Sequence, residues 1–514
     1  MGQKQHLAPY WPSKEQDMEQ AILISEKDNV AVALRPLEQG ATVNLDGCQV
    51  TALENIPQGH KISVRPIGKG KDVVKYGFPI GHATKEIAMG SWVHTHNMAT
   101  NLSGEQEYSY EPESAGDAGE PCSGETLFFQ GFGRGDGKAG VRNEIWVIPA
   151  VGCVNDIAKQ MVRENQDLVR GSIDGLYAFP HPFGCSQTGA DHAQTRKLLA
   201  ALAQHPNAGA VLVLSLGCEN LTQGQFKEEL GDYEEGRIKF LTCQEVEDEL
   251  AEGRKLLQEC AAYAGQFHRT PIPINKLVVG MKCGASDGLS GITANPAVGR
   301  FSDLLVAQGG STILTEVPEM FGAEGMLMNR CASWEIFCKA VDMVNGFKHY
   351  FLSHHEVVYE NPSPGNRQGG ITTLEDKSCG CVQKGGTAQI SDVIGYGSQI
   401  KKKGLNMLYG PGNDLVSCTA LTAAGAHIIL FTTGRGTPFG APVPTIKIAT
   451  NSQIAMRKKN WIDFNAGTVA EGESLGSAGE RLLCHVLAVA GGEKARNEVQ
   501  GYREISIFKD GVVL

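Results

Sequence analysis

Residues 145–153 read IWVIPAVGC, 175–185 GLYAFPHPFGC, 210–218 AVLVLSLGC and 237–243 RIKFLTC. Each contains an apolar run of strand length. Each is followed by a helical pattern: NDIAKQMVREN, DHAQTRKLLAALAQ, FKEEL and EVEDELAEGRKLLQECAAYA. Continuous apolar strands alternating with amphipathic helices predict βαβ units around a parallel sheet. A fifth run, KLVVGMKC at 276–283, opens further alternation of the same kind, interrupted by Gly/Pro-rich loops. The predicted class is α/β with mostly parallel sheets.

The chain upstream has another rhythm. AILI, NVAVAL, ATVNL, HKISVRPI and SWVHTHN are short β-type runs separated by Gly, Pro and Asp, with a short helix expected over ATKEIAM at 83–89. The expected organisation is a disordered tail over 1–20, a small β-rich domain over 21–103, and an acidic linker over 104–127. A second, α/β domain spans 128–272, and an α/β catalytic domain spans 273–514. The linker assignment rests on composition, since residues 104–126 hold seven acids, no Lys or Arg, and much Ser, Gly and Pro.

Several classes fall away. The formal charge of −11 argues against nucleic acid, and most of it lies in the linker. The longest apolar runs, 210–216 and 427–431, are too short to span a membrane. The first residues lack the apolar segment of a secretory signal. With 14 cysteines in a large chain, the expectation is reduced thiols and a cytoplasmic protein.

Cys153, Cys185, Cys218, Cys243 and Cys283 all fall at predicted strand ends, 32, 33, 25 and 40 residues apart. That is βα-unit spacing rather than chelate-loop spacing. In open parallel sheets the crevice beyond the carboxyl ends of the strands binds ligands, so these thiols can converge there. The plainer reading is buried cysteine acting as a small hydrophobe. It fits Cys243 best, because Cys243 has no adjacent glycine. Cys379-Gly-Cys381 is isolated, and no zinc-ribbon spacing occurs.

Other segments carry candidate chemistry. In SWVHTHN an extended chain would put His94 and His96 on one face, able to share a divalent metal or to act as ligand and base. Exposed edge-strand histidines are the alternative. Asp287, in KCGASDG, is a metal ligand, a base or a helix cap. Glu316 ends the strand-like STIL. The loops NPSPGN and TTGRGTP place Ser363, Asn366, Thr433 and Arg435 where hydroxyls and a carboxylate can be gripped. GFGRGDG at 131–137 has the wrong spacing for a dinucleotide loop and precedes a strand instead of following one. These residues imply a polar anionic substrate and metal assistance, with neither nucleotide nor flavin.

Long, well-spread stretches of this chain resemble the altronate and galactarate dehydratase family of sugar-acid dehydratases. NVAVAL, HKISVRPIGKGKDVVKYGFPIG and HTHN are similar to its N-terminal SAF-type domain. GVRNEIWVIPAVGCVN, FGCSQTGADH and HPNAGAVLVLSLGCEN are similar to its second domain. CGASDGLSGITANPAVGRFSDLL, LTEVPEMFGAE, ENPSPGNRQGGITTLEDKS, TTGRGTPFG and WIDFNAGT are similar to its C-terminal domain. His94-Thr95-His96-Asn97, Arg142-Asn143-Glu144 and YREISIFKDGVVL resemble the altronate branch.

The resemblance implies a hydro-lyase that removes water from D-altronate to give 2-dehydro-3-deoxy-D-gluconate in hexuronate degradation. Galactarate or another aldarate or aldonate is the alternative substrate. It implies Fe²⁺, with Mn²⁺ as substitute, on the carboxylate and C2 hydroxyl, beside a base and an acid. His94 and His96 are then expected as metal ligands or acid–base pair. Cys185, Cys218, Cys283, Asp287 and Glu316 would line the crevice, and Arg435 would hold the carboxylate. Two rivals stand beside this: an iron–sulfur cluster on Cys153, Cys185, Cys218 and Cys283, and a non-catalytic sugar-acid sensor. A homodimer is expected from exposed sheet edges.

Overall fold

The apolar runs of the second and third regions form two parallel sheets, seen in a computed structural model that describes residues 20–45, 48–112 and 126–514. The first sheet has the order Gly175–Ala178, Glu144–Pro149, Ala208–Ser215, Ile238–Thr242, parallel throughout. Its two central strands are buried along their whole length, which is why they read as unbroken apolar runs. Helices Asn155–Glu164, Gly189–Ala203, Gln223–Leu230 and Glu249–Ala264 supply the crossovers.

The second sheet has seven parallel strands. In spatial order they are Ile390–Ile394, Gly404–Leu408, Ser311–Leu314, Val278–Cys283, Ile428–Thr433, Thr445–Ala449 and Phe464–Asn465. The helices Gly189–Ala203 and Asp414–Ala423 pack together between the two sheets. At their C-terminal ends His205 Nε2 lies 3.1 Å from the Ala426 carbonyl, and Asn207 donates to the His427 carbonyl at 3.0 Å. The two helices therefore run the same way, and the carboxyl ends of both sheets face the same end of the molecule. A third, antiparallel sheet pairs Phe128–Gly133 with Thr270–Pro273 and closes the second region on itself.

The N-terminal region is β-rich, with sheets of four, three and two short strands. No helix forms at 83–89; those residues continue from the strand Phe78–Ala83 into turns. SWVHTHN is not one strand either. Trp92–Val93 and Met98–Ala99 are joined by a turn, because Asn97 accepts from the His94 amide at 2.9 Å and donates to the Trp92 carbonyl at 2.9 Å. Such side-chain bonds to nearby backbone compete with the strand ladder.

The linker is ordered at its start. Tyr110 donates to the Cys331 carbonyl at 2.7 Å, and Tyr108 donates to Glu324 at 3.0 Å beside Lys348. Two tyrosines supply the apolar surface that the average composition hides. Residues 113–125, and all but the last residue of the tail expected over 1–20, lie outside the described residues.

The β-rich region docks on the third region through bare backbone and buried charge. A Cβ on Gly288 would lie 1.9 Å from the Gly59 carbonyl oxygen, and one on Gly370, at φ +103°, would lie 2.3 Å from it. Beside this seam Lys61 and Lys75 reach Asp376 at 2.7 and 3.0 Å, all three buried. Among the described residues no helix is long and apolar enough to cross a membrane.

Candidate metal centre and its cavity

At the carboxyl end of Val278–Cys283 the chain carries Lys282 and Cys283 in a buried setting. The next strand, Ser311–Leu314, delivers Glu316 and Glu319 through a turn in which Glu316 adopts φ +72°. A left-handed conformation at a non-glycine residue is strained, and such strain collects at functional sites. The helix Leu374–Cys381, buried along its length, supplies Lys377 and Cys381. These segments bring Cys283 Sγ, Glu319 Oε2 and Cys381 Sγ to 3.1, 3.1 and 3.3 Å of one another. Among the described residues this is the set of three whose ligand atoms all lie within 4.8 Å.

Charge is arranged around the triad. Lys377 donates to Glu319 Oε1 at 2.7 Å, leaving Oε2 turned to the two sulfurs. Lys282 donates to Glu316 and sits 3.1 Å from Asp414; Lys384 lies 3.5 Å from Glu316. Burial opposes each of these ammonium groups. Even so, the carboxylates outweigh it for Lys282 and Lys377, and the thiol sites with Glu316 and Glu319 do so for Lys384, so all three are held above the ordinary lysine range. Burial also opposes ionisation of Glu319, but Lys377, Lys282 and Lys384 hold it well below the usual carboxylate range. Burial and neighbouring Glu319 push Glu316 the other way. The Cys283 contact and burial push the Cys381 thiol well up. Three ammonium groups face three carboxylates here, Glu316, Glu319 and Asp414, so two thiolates would add the charge that a divalent cation neutralises. Two sulfurs and a carboxylate suit a borderline or soft ion such as Fe²⁺ or Zn²⁺ better than Mg²⁺ or Ca²⁺.

A cavity of about 490 Å³ opens onto this centre, lined by Cys283, Glu319, Lys377, Asn361, Arg367 and Asp414 among others. It is large enough for a six-carbon sugar acid. Ser363 and Asn366 also line it, but their side chains form a capping box on the helix Pro364–Gln368. Asn366 further donates to the Ser286 carbonyl at 2.8 Å.

The remaining sequence candidates lie apart from the triad. Arg435 is exposed on a neighbouring cavity of about 240 Å³, which Asp287, Gln58 and Asn451 also line, and donates to the Gly365 carbonyl at 3.1 Å. Thr433 is buried and accepts from the Gly436 amide at 2.8 Å. Asp287 accepts from Thr450, Ser290 and the Leu289 amide at 2.8, 3.0 and 3.2 Å, as a turn cap does. Burial still lifts its carboxyl above the ordinary value.

His94 stacks on Trp92 with ring centroids 5.4 Å apart, and His96 flanks the same indole at 5.3 Å. His94 Nδ1 lies 3.1 Å from Thr372 Oγ1, and burial, with Lys61 and His60 nearby, lowers its pKa to about 4. It is therefore neutral at pH 7. Cys185 and Cys218 belong to the first sheet and Cys283 to the second, so the five strand-end thiols divide four to one. Cys153, Cys185 and Cys218 are exposed; Cys243 is buried.

Glu319, Cys381, Lys377 and Lys384 carry no site role in the expectations drawn from sequence, although Glu319 and Cys381 stand in segments noted there. The available signal was charge inside apolar stretches: the Lys282 of VVGMKC and the five charged or thiol groups of LEDKSCGC.

The fold and centre together define a three-part α/β protein with a thiol–carboxylate site at the carboxyl edge of a parallel sheet. Three family models account for nearly all of it: the altronate/galactarate dehydratase SAF domain over residues 19–101, the D-galactarate dehydratase/altronate hydrolase second domain over 131–265, and the D-galactarate/altronate dehydratase C-terminal domain over 274–513. The chain is 50% identical to altronate dehydratase of Bacillus subtilis (strain 168) over 502 residues, covering 97% of this chain and 100% of that protein. It is 48% identical to altronate dehydratase of Escherichia coli (strain K12), covering 96% and 100%. To the galactarate dehydratase (L-threo-forming) of the same organism it is 32% identical, covering 92% and 93%. The chain belongs to the altronate/galactarate dehydratase family.

Proposed function

We propose that this protein is an altronate dehydratase, removing water from D-altronate to give 2-dehydro-3-deoxy-D-gluconate. The observation that carries the substrate is half-identity to two altronate dehydratases along their full length, against 32% to the galactarate enzyme. The cavity chemistry agrees with an anionic polyol, since Lys377 and Arg367 stand in its wall.

The C2 proton of an aldonate is weakly acidic, because the adjacent carboxylate is already negative. Fe²⁺ on Cys283, Glu319 and Cys381, with Mn²⁺ as substitute, would supply Lewis-acid stabilisation of the charge that develops there. Lys377 and Arg367 hold the substrate carboxylate, and Lys377 also keeps Glu319 ionised and oriented. Asp414, in the same wall and one-third exposed, is the proton acceptor in this reading. It takes the proton from C2 and returns it to the departing C3 hydroxyl, so one carboxylate balances the step. His94 and His96 act from the SAF domain as a rim around Trp92 and Thr372.

The test is a keto-acid assay with altronate, galactarate, glucarate and mannonate in the presence of Fe²⁺ or Mn²⁺. Altronate should give the highest kcat/KM. Preference for galactarate would move the protein to the other branch, and binding without keto acid would make it a sensor.

A further inference from the structure

We propose that Cys153, Cys185 and Cys218 together hold a cubane iron–sulfur cluster, with one iron left without a protein ligand. This site is separate from the Cys283–Glu319–Cys381 centre and does not rest on the dehydration reading. Free cysteine is among the most buried residue types, yet these three thiols are exposed. They follow three strands adjacent in one sheet, in the order Gly175–Ala178, Glu144–Pro149, Ala208–Ser215. Their loops are tied to each other. The Gly152 amide donates to the Phe183 carbonyl at 2.9 Å, Leu221 to the Gly184 carbonyl at 3.0 Å, and Ser186 to Asn220 Oδ1 at 2.8 Å.

The backbone is shaped to present these sulfurs. A Cβ on Gly184 would lie 1.9 Å from the Ala150 carbonyl oxygen, and one on Gly152 2.9 Å from that of His181. Ser186, next to Cys185, holds φ +57° without being glycine. Two buried polar atoms beside the loops, Gln187 Nε2 and Ser215 Oγ, have no hydrogen-bond partner. Both can donate to sulfide or thiolate, and donors of that kind tune such clusters. The helices Asn155–Glu164, Gly189–Ala203 and Gln223–Leu230 begin just after the three thiols, turning positive dipole ends toward a negatively charged group.

The three sulfurs are not part of the set that closes within 4.8 Å. Three thiols on hydrogen-bonded neighbouring loops, outside single-ion range, suit a polynuclear cluster better than one ion. Each thiol loses its proton on ligation. The fourth iron is open to an oxygen donor from the side that both sheets' carboxyl ends face.

The experiment is anaerobic reconstitution of the full-length protein with equal ferrous and ferric iron and sulfide, followed by iron and acid-labile sulfide analysis. Wild type should retain about four sulfides per chain and a brown chromophore bleached by dithionite. Cys153→Ser, Cys185→Ser and Cys218→Ser should each lose most of the sulfide, whereas Cys283→Ser should keep it. Alkylation of the wild type read by peptide mass gives an arm free of variants: reconstitution should protect these three thiols from iodoacetamide. Absence of labile sulfide in reconstituted wild type, unprotected thiols, or full sulfide in the three variants would overturn the proposal. Loss of altronate turnover with sulfide retained would instead count against the proposed function alone.

Discussion

Lys377 Nζ lies 2.7 Å from Glu319 Oε1, and the other oxygen of that carboxylate lies 3.1 Å from both Cys283 and Cys381 sulfurs. The lysine therefore orients a ligand without being one. Lys377→Met should weaken Mn²⁺ binding by roughly 10–100-fold, the usual cost of losing an outer partner of a ligand. Lys377→Arg should recover part of it. Calorimetric titration with Mn²⁺ measures both, and unchanged affinity in Lys377→Met would show that Glu319 needs no such support.

Asp376 is shared by Lys61 and Lys75 where the SAF domain meets the C-terminal domain. Burial opposes its ionisation, but the two ammonium groups hold it well below the ordinary range. Asp376→Asn leaves two buried cations unpaired, which should cost about 3–5 kcal/mol. Thermal unfolding should show a large fall in Tm, with the SAF domain released first under limited proteolysis.

His94 gives a pH signature. In the unfolded chain its pKa is near 6.5, and in the folded chain about 4. Between these values the unfolded state binds a proton that the folded state does not, so stability falls as the pH drops through this window. Burial is the main cause, with Lys61 and His60 adding to it. His94→Gln should reduce the loss of Tm between about pH 7 and pH 4.5. Equal losses in both proteins would mean that the imidazole titrates freely in the fold.

Where they meet Gly59, Gly288 and Gly370 have no room for a methyl group. Gly288→Ala should destabilise by ~1–3 kcal/mol or more through overpacking. A surface glycine with open space, such as Gly171, serves as the control, although its φ of +64° makes Gly171→Asn the better substitution there. Calorimetric unfolding distinguishes the two, and equal effects would show that the seam yields.

Much of this architecture was legible because its signals are local. An unbroken apolar run such as 210–214 declares a strand buried on both faces, whatever lies around it. The triad was not legible in that way. Cys283, Glu319 and Cys381 come from three segments, and their convergence depends on strand order, which spacing alone does not encode. Cys283 is visible at its strand end and Glu319 lies in the stretch LTEVPEMFGAE, but nothing local marks Cys381 as their partner. The strand expected through His94 and His96 failed for a short-range reason, the two hydrogen bonds of the Asn97 side chain. Asp287, Ser363 and Asn366 drew notice as polar groups in Gly-rich turns, and much of their hydrogen-bonding capacity goes into holding those turns.

The SAF domain docks by abutting glycines and a buried Lys–Asp–Lys cluster, none of which depends on covalent continuity with the C-terminal domain. Backbone contact and ion pairing act equally well between separate polypeptides, provided both partners are folded. The two parts are therefore expected to stay associated after the chain between them is cut. Cutting it between residues 112 and 126 should leave a complex that migrates as one species, and co-expression of the two pieces should reassemble the whole.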